Sequence, residues 1–598
     1  MSWGVALRNS VGLGLGGIPS LLNSLNGAGA PDVLFDFAGT GTLDPRITFS
    51  RTSNATQFDS AGNLVYAPHN LLTYSEQFDN AAWTPAEISV TTNSVVAPNG
   101  TTTADVLIPS TVSAGHFTTQ NPSFTGGFVY VFSVYAKANG YRYMRLSFPS
   151  LAFAATGRAA CFDLQTGTTG QTQTGVTPAI ESVGNSWYRC SIAATANATA
   201  SGFTGVTVNS ADDATPITFT GDGTSGISVW GAQLNVGALQ PYYITTASAY
   251  YGPRFDYNPS TLAARGLLIE EQRTNLVFPS EDFAVVPWSI YNAAIVADAG
   301  TAPNGTLTAD RIDSSGAGIF RAGVGVVNAT AYTYSVFLKH VSGTGIISNI
   351  GFERFGAVPL PGSSSFNLLT ETVISNGASV TASSITAFGN GWYRVSVTAT
   401  STDVTTTLIN YAPSGNQFLM WGAQLEQGAF STSYIPTTTA AATRAADVAT
   451  VTGANFSDWY NQTEGTFYFE GSIIADTVGD QIGLNANNNA FSERIRLGKG
   501  PITPRFTIVD NGSVQADLTG GTWTINTIKK LAGAYAVNSI ALSIDGAAPL
   551  TDTSATIPTP TQLQIGNEQL AAFLNGHVRV LAYYRKRLST ANLIRITR

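Results

Sequence analysis

Asn70-Leu-Leu-Thr-Tyr-Ser-Glu-Gln-Phe78 is answered later in the chain by Asn275-Leu-Val-Phe-Pro-Ser-Glu-Asp-Phe283. Ala97-Pro-Asn-Gly-Thr-Thr-Thr-Ala-Asp105 is answered by Ala302-Pro-Asn-Gly-Thr-Leu-Thr-Ala-Asp310, and Trp187-Tyr-Arg189 by Trp392-Tyr-Arg394. All three pairs are 205 residues apart (275−70, 302−97, 392−187). Trp230-Gly-Ala-Gln-Leu234 returns as Trp421-Gly-Ala-Gln-Leu425, 191 apart, so the second copy is 14 residues shorter (205−191) in a loop before that strand. A repeat this long is a duplicated domain, since solenoid units run to about 20–50 residues.

The copies read as β throughout. Phe128-Val-Tyr-Val-Phe-Ser-Val-Tyr-Ala-Lys137, Trp187-Tyr-Arg-Cys-Ser-Ile-Ala193 and Tyr332-Thr-Tyr-Ser-Val-Phe-Leu-Lys339 alternate apolar and polar residues and are rich in β-branched and aromatic types. Gly, Asn, Asp and Pro clusters separate them. The expected class is all-β: three tandem β-sandwich (jelly-roll) domains with a short N-terminal anchoring segment. The boundaries are 1–31 for that segment, 70–247 and 275–447 for the two copies, and 448–598 for a third sandwich. Residues 32–69 and 248–274 are read as one discontinuous base into which the first copy is inserted. Helix-period segments are scarce, the best being Thr261–Glu271 and Ser589–Ile596, the latter opening with Ser589 as N-cap.

Composition narrows the function. Of 598 residues, 11% are charged and 43% hydrophobic. There is enough apolar surface to build cores. With a formal net charge of −8 and no run of Lys or Arg, a phosphate-tracking nucleic-acid surface is not expected. No apolar run of about 18 residues is present for membrane insertion. Cys161 and Cys190 are too few for a disulfide framework. Alternation turns Cys190 toward the core and Cys161 away from it, so both are expected as free thiols. The first residues are apolar and glycine-rich, but Gly12, Gly14, Pro19 and Asn23 interrupt them, unlike a secretory signal. Trp3, Leu7, Leu13, Leu15 and Ile18 are the candidate docking residues of a segment that orders on a partner.

Hydrolysis needs a placed acid and base. The acidic pairs are Asp212-Asp213, Glu270-Glu271 and Glu281-Asp282, and Asp105/Asp310 and Glu76/Glu281 recur in both copies. Recurrence within one chain reflects common ancestry. Bonding of turn backbone is the favoured role for these carboxylates, and no catalytic residue is assigned. The histidines His69, His116, His340 and His577 are scattered, with none at metal-ligand spacing.

Sugar binding calls for aromatic faces beside planar polar groups. In Tyr141-Arg-Tyr-Met-Arg-Leu-Ser-Phe148, alternation puts Met144, Leu146 and Phe148 in the core and Tyr141, Tyr143 and Arg145 on the other face. That face is read either as a glycan contact or as packing on a neighbouring module or subunit, where Tyr and Arg are also enriched. The second copy reads Ile346-Ile-Ser-Asn-Ile-Gly-Phe352 there, without the tyrosines. Trp230 and Trp421, in matching strands, are read as core.

Two resemblances follow from these residues. Ile544-Asp545-Gly546, Ile565-Gly566 and Asn575-Gly576 before Val578-Arg579-Val580 make residues 448–598 similar to the concanavalin A-like, laminin-G-like jelly roll. The duplicated module, with Leu43-Asp-Pro-Arg-Ile-Thr-Phe-Ser-Arg-Thr-Ser53 and Arg265-Gly-Leu-Leu-Ile-Glu-Glu-Gln-Arg-Thr-Asn275, resembles carbohydrate-binding-module-like jelly rolls of tailed-bacteriophage virion proteins. The resemblance implies a non-enzymatic fibre, spike or head decoration protein, often a homotrimer, assembled in the host cytoplasm. It implies attachment to capsid or tail proteins through the N-terminus and contact with bacterial surface polysaccharide. A structural calcium is common in such jelly rolls; no other cofactor is expected. A tailspike-type depolymerase and a secreted bacterial adhesin are the competing readings.

Overall fold

The computed structural model describes residue 22 and residues 29–154, 157–353, 361–477 and 479–598. The candidate docking residues Trp3, Leu7, Leu13, Leu15 and Ile18 lie outside the described residues. The chain is nearly all β, and it divides into two compact units.

The first unit comprises Met1–Phe49, Ala264–Glu271 and Val448–Arg598. It is a sandwich of two antiparallel sheets. One runs Gly576–Tyr584, Glu464–Ile473, Lys529–Ala536, Ile540–Ile544, Leu550–Asp552. The other runs Val448–Thr452, Gln562–Ile565, Gln481–Asn487, Arg494–Lys499, Pro504–Asp510, Ser513–Thr519. Two strands reach it from far away in the sequence. Val33–Asp36 and Ala264–Ile269 both pair with Gly576–Tyr584, in the registers Val33↔Tyr583 and Leu267↔Val578. Residues 32–69 and 248–274 are therefore divided: their outer strands complete this sandwich, and the hairpin Thr56–Phe58/Leu64–Tyr66 belongs to the other unit. The helix expected at Thr261–Glu271 is a strand, Ala264–Ile269, because its apolar Leu267, Leu268 and Ile269 are buried by sheet pairing. The helix Thr590–Thr597 does form, with Ser589 Oγ accepting the Asn592 N–H. Leu22 is buried in the same cluster as Leu593 and Ile596, and its carbonyl accepts the Tyr584 hydroxyl at 3.0 Å.

The second unit, Ser50–Ala263 with Gln272–Asp447, holds both copies. In the first copy one six-stranded sheet has Gly226–Val236 between Val129–Asn139 and Ala104–Pro109, and the other has Tyr143–Ser147 between Ala159–Asp163 and Thr204–Asn209. Met144, Leu146, Phe148, Phe162 and Cys190 share the core between them. Both cysteines are buried and free, and Cys161 lies outside that cluster. The second copy fuses its layers. Leu307–Gly325, 19 residues long, pairs with Gln417–Gln427 at its start and with Thr405–Tyr411 at its end, giving one ten-stranded sheet.

The repeated motifs have a physical cause. Gly231 and Gly422 take φ of +62° and +64° at a bulge against the neighbouring strand. A Cβ there would meet the rings of Tyr135 or Phe337 at about 3 Å, so the Trp-Gly step admits no side chain. Asn70 and Asn275 use their whole amide: each donates to two carbonyls (Ala232 and Tyr243; Ala423 and Ile435) and accepts two N–H groups (Leu72 and Leu234; Val277 and Leu425). Buried polar groups persist in a core when satisfied in this way.

Candidate functional site

The strand face singled out in the sequence has an internal partner. Residues 210–225 form a loop between Thr204–Asn209 and Gly226–Val236, whereas 412–416 suffice in the second copy. That loop lies over the Tyr141 face. Arg145 is 3% exposed, with Nε donating to Ala214 O at 2.8 Å. Tyr141 packs on Phe219 with ring centroids 5.4 Å apart, and His116 Nε2 lies 2.9 Å from Phe219 O. The tyrosines and the long loop thus occur together, in the first copy alone. Tyr143 stays half-exposed, with Arg142 over its ring at 5.1 Å.

The recurrent carboxylates divide into two kinds. Asp105 accepts the N–H groups of Phe78 and Asn93, both at 2.9 Å, and Asp310 those of Phe283 and Asp298, at 2.7 and 3.0 Å. Asp212 accepts Gln171 N–H, and Asp213 holds the Thr215 turn. Glu271 bonds Asn575. The four aspartates thus carry backbone and turns, and the Glu271 carboxylate accepts the Asn575 side-chain amide. Glu76 and Glu281 are different. Tyr242 donates to Glu76 at 3.1 Å and Tyr434 to Glu281 at 3.0 Å, and each tyrosine also shares a hydrogen bond with the preceding serine, Ser75 or Ser280. Trp230 and Trp421 are buried, as expected, and their indole N–H groups meet Thr103 and Thr308 at 3.2 Å.

The second of these Ser–Glu–Tyr–Trp tetrads, Ser280, Glu281, Tyr434 and Trp421, sits under a roof. The hairpin Thr56–Phe58/Leu64–Tyr66 seats Phe58 and Leu64 against Trp392, Trp421 and Tyr434. Thr56 Oγ1 donates to Tyr434 O, and Leu64 N–H to Pro303 O at 3.0 Å. Between this hairpin, residues 236–243 of the first copy and the second tetrad lies a cleft of about 470 Å³. Its walls carry the aromatics Tyr66, Phe128, Tyr243, Trp421 and Tyr434, the amides Gln57, Gln240 and Asn304, and Glu281. A second hollow of about 540 Å³ adjoins it, sharing Phe128 and Glu281. Burial raises Glu281 to about 7, against the lowering effect of the hydrogen bond from Tyr434. Glu76 is raised as well, for the same reason. The side-chain oxygen of Gln57 is buried and has no hydrogen-bond partner.

Sequence reasoning did not assemble this cleft, because its residues come from separate stretches spread between Thr56 and Pro436. The available signal was the joint retention of Ser-Glu and Trp-Gly-Ala-Gln-Leu in both copies.

Among the described residues no group of three or more His, Cys, Asp or Glu side chains could hold a metal ion. His69 is held neutral: burial pulls it down to about 4, its Nε2 accepts Val236 N–H at 2.8 Å, and Nδ1 lies 2.8 Å from Ala67 O. Loop oxygens of the first unit converge instead on an ammonium. Lys499 Nζ lies 2.7 Å from Asp476 and 3.2–3.3 Å from the carbonyls of Thr477, Gly500 and Pro501. No described helix is long and apolar enough to cross a membrane.

No protein-family model and no curated protein sequence matches the chain. Among solved structures it is similar to the CBM40 of the Ruminococcus gnavus IT-sialidase bound to α2,3 sialyllactose, at 14% identity over 24% of this chain and 88% of that one, TM-score 0.22. It is similar to the tandem CBM22-1–CBM22-2 of Paenibacillus barcinonensis Xyn10C, at 10% identity over 61% and 98%, TM-score 0.21. It is also similar to domains LG4-5 of the mouse laminin α1 chain, at 9% identity over 53% and 92%, TM-score 0.17. Likeness at this level is silent on ligands.

Proposed function

We propose that this chain is a non-enzymatic structural protein of a bacteriophage virion, a fibre, spike or head decoration, that presents β-sandwich modules to bacterial surface glycans. The observation that carries the glycan reading is the cleft beneath the 56–66 hairpin. Aromatic rings, planar amides and a single carboxyl converge there at a volume within the ordinary range for ligand sites, about 300–1,000 Å³. Its carboxyl, Glu281, is bonded to Tyr434, Glu76 is bonded to Tyr242 in the same way, and the recurrent aspartates Asp105 and Asp310 are engaged with backbone. That arrangement suits holding a ligand better than cleaving one. The virion reading is supported by the phage-like segments at 43–53 and 265–275, by the low charge content and by the duplicated modules. In this reading residues 1–31 engage a capsid or tail protein, and the working form is a homotrimer.

Two experiments test the parts separately. The purified chain is incubated with host capsular polysaccharide and lipopolysaccharide. Retention without release of reducing ends supports the binding reading, and depolymerisation overturns it in favour of a tailspike-type enzyme. Cryo-electron microscopy of the purified particle tests the other half. Density for this chain on capsid or tail supports it, and absence from any particle overturns it.

A further inference from the structure

The chemistry of the cleft narrows the ligand. Glu281 is the carboxyl among the residues lining the cleft, and the adjoining hollow adds Asp282. No Lys, Arg or His lines either one. A saccharide carrying carboxylate or sulfate would bury its charge beside one or two carboxyls with no cation to pair it, and an unpaired buried charge is strongly unfavourable. The long-range field runs the same way, since the whole chain carries a formal charge of −8.

What the walls do offer suits hydroxyl groups. Tyr66 and Tyr243 are partly buried rings lining the cleft, and Tyr243 is braced by stacking on Tyr250 at 5.4 Å. A braced ring presents a flat apolar face at little cost in conformational freedom. Gln57 lines the cleft and carries a buried side-chain oxygen with no partner, and satisfying such an acceptor with a ligand hydroxyl would be favourable in itself. Glu281 is already held on one side by Tyr434, which fixes its carboxyl for a ligand approaching from the cleft. Gln240 is spent on the protein, bonding the carbonyls of Tyr66 and Ala67 and the N–H of His69, and so acts as scaffold.

Resting on the glycan-binding reading, we infer that this cleft takes an uncharged saccharide, stacked on Tyr66 and Tyr243 and hydrogen-bonded by Gln57 and Glu281, and that it rejects acidic saccharides. The first copy's Glu76–Tyr242 pair contributes no wall to this cleft.

The test uses the full chain and two probe sets of matched length. One set is neutral: hexamers of glucose, mannose, xylose and N-acetylglucosamine. The other is acidic: oligogalacturonate, oligosialic acid and sulfated dextran. Titration calorimetry is run on the wild type and on Tyr243→Ala, Gln57→Ala and Glu281→Gln, each checked for an unchanged melting profile. The expected result is binding of at least one neutral probe, weakened tenfold or more by Tyr243→Ala. Because no ion pair forms, that affinity is expected to change less than about twofold between low and high salt. Gln57→Ala, the mildest change to the fold, is expected to weaken it several-fold. Preferential binding of an acidic probe that the same variants abolish would overturn the inference and leave the glycan reading standing. Neutral binding indifferent to all three variants would overturn this site. Binding of neither set would overturn both.

Discussion

Tyr434 donates its hydroxyl to Glu281 at 3.0 Å, and Tyr242 donates to Glu76 at 3.1 Å in the other copy. The duplication thus preserved one polar device in two environments. Tyr434 is fully buried and Tyr242 half-buried, because the 56–66 hairpin covers the second copy. Neighbouring side chains follow suit. Phe337 and Leu419 pack in the covered cluster, whereas Tyr135 and Ser228 stand at the matching strand positions of the first copy.

That asymmetry gives a pH dependence. Glu281 is lifted by burial from an ordinary value of 4.5 to about 7. A carboxyl raised in the folded state binds its proton more tightly there than in the unfolded chain, so its stabilising effect is complete below pH 4.5 and is lost as pH rises to about 7. The wild type is expected to lose stability relative to Glu281→Gln across that window, with no further change above it. Urea denaturation of both proteins at intervals from pH 4 to 8 measures the difference, and a flat difference would remove the shift.

Much of this architecture was legible in short stretches. The alternation in Met144-Arg-Leu-Ser-Phe148 names the core side correctly, and Cys161 and Cys190 fall on opposite faces as expected. Asp105 and Asp310 bond backbone N–H groups, the role favoured for them from the sequence. The strand Ala264–Ile269 was not legible, because its partner Gly576–Tyr584 lies about three hundred residues away and local periodicity carries no record of it. The burial of Arg145 was hidden for a related reason, since the loop that covers it follows a different strand. The cleft needed both kinds of information together.

Asp447 holds a buried cluster of guanidinium groups. Arg51 Nη1 reaches its Oδ1 at 2.8 Å and Arg254 bonds its Oδ2, while Arg254 and Arg444 share Ser433 Oγ at 2.6 Å each. Burial pushes Arg51 down to about 10 even with Asp447 beside it. Asp447→Ala leaves buried cations without their carboxylate and is expected to cost about 3–5 kcal/mol. Asp313→Ala, which removes a half-exposed pair with Arg311, is expected to cost about 1 kcal/mol or less. Chemical denaturation of both variants compares them, and equal losses would contradict a structural role for the cluster.

Asp105 and Asp310 are expected to be equivalent. Each accepts two backbone N–H groups, so Asp105→Ala and Asp310→Ala each strand two donors, at a cost of about 1–3 kcal/mol per site. The sites lie in separate copies with no shared partner, so the double variant is expected to show the sum of the two losses. Denaturation midpoints decide it. A loss confined to one copy would mean that the recurrence is not a shared structural device.

Lys499 stands where loop oxygens of the first unit converge, its ammonium meeting Asp476 and three carbonyls. The side chain is fully buried, and a charge in that position is sustained by those partners. Lys499→Met keeps the length of the stem and removes the charge, leaving the carbonyls facing an apolar group. The expected loss is about 1–3 kcal/mol, by analogy with unmade hydrogen bonds to a charged group. Because the lysine supplies the positive charge itself, chelation with EDTA is expected to leave the wild-type melting curve of this unit unchanged. Differential scanning calorimetry with EDTA and with added calcium checks this. A calcium-dependent rise in the wild type would mean that a metal ion, rather than Lys499, completes the loops.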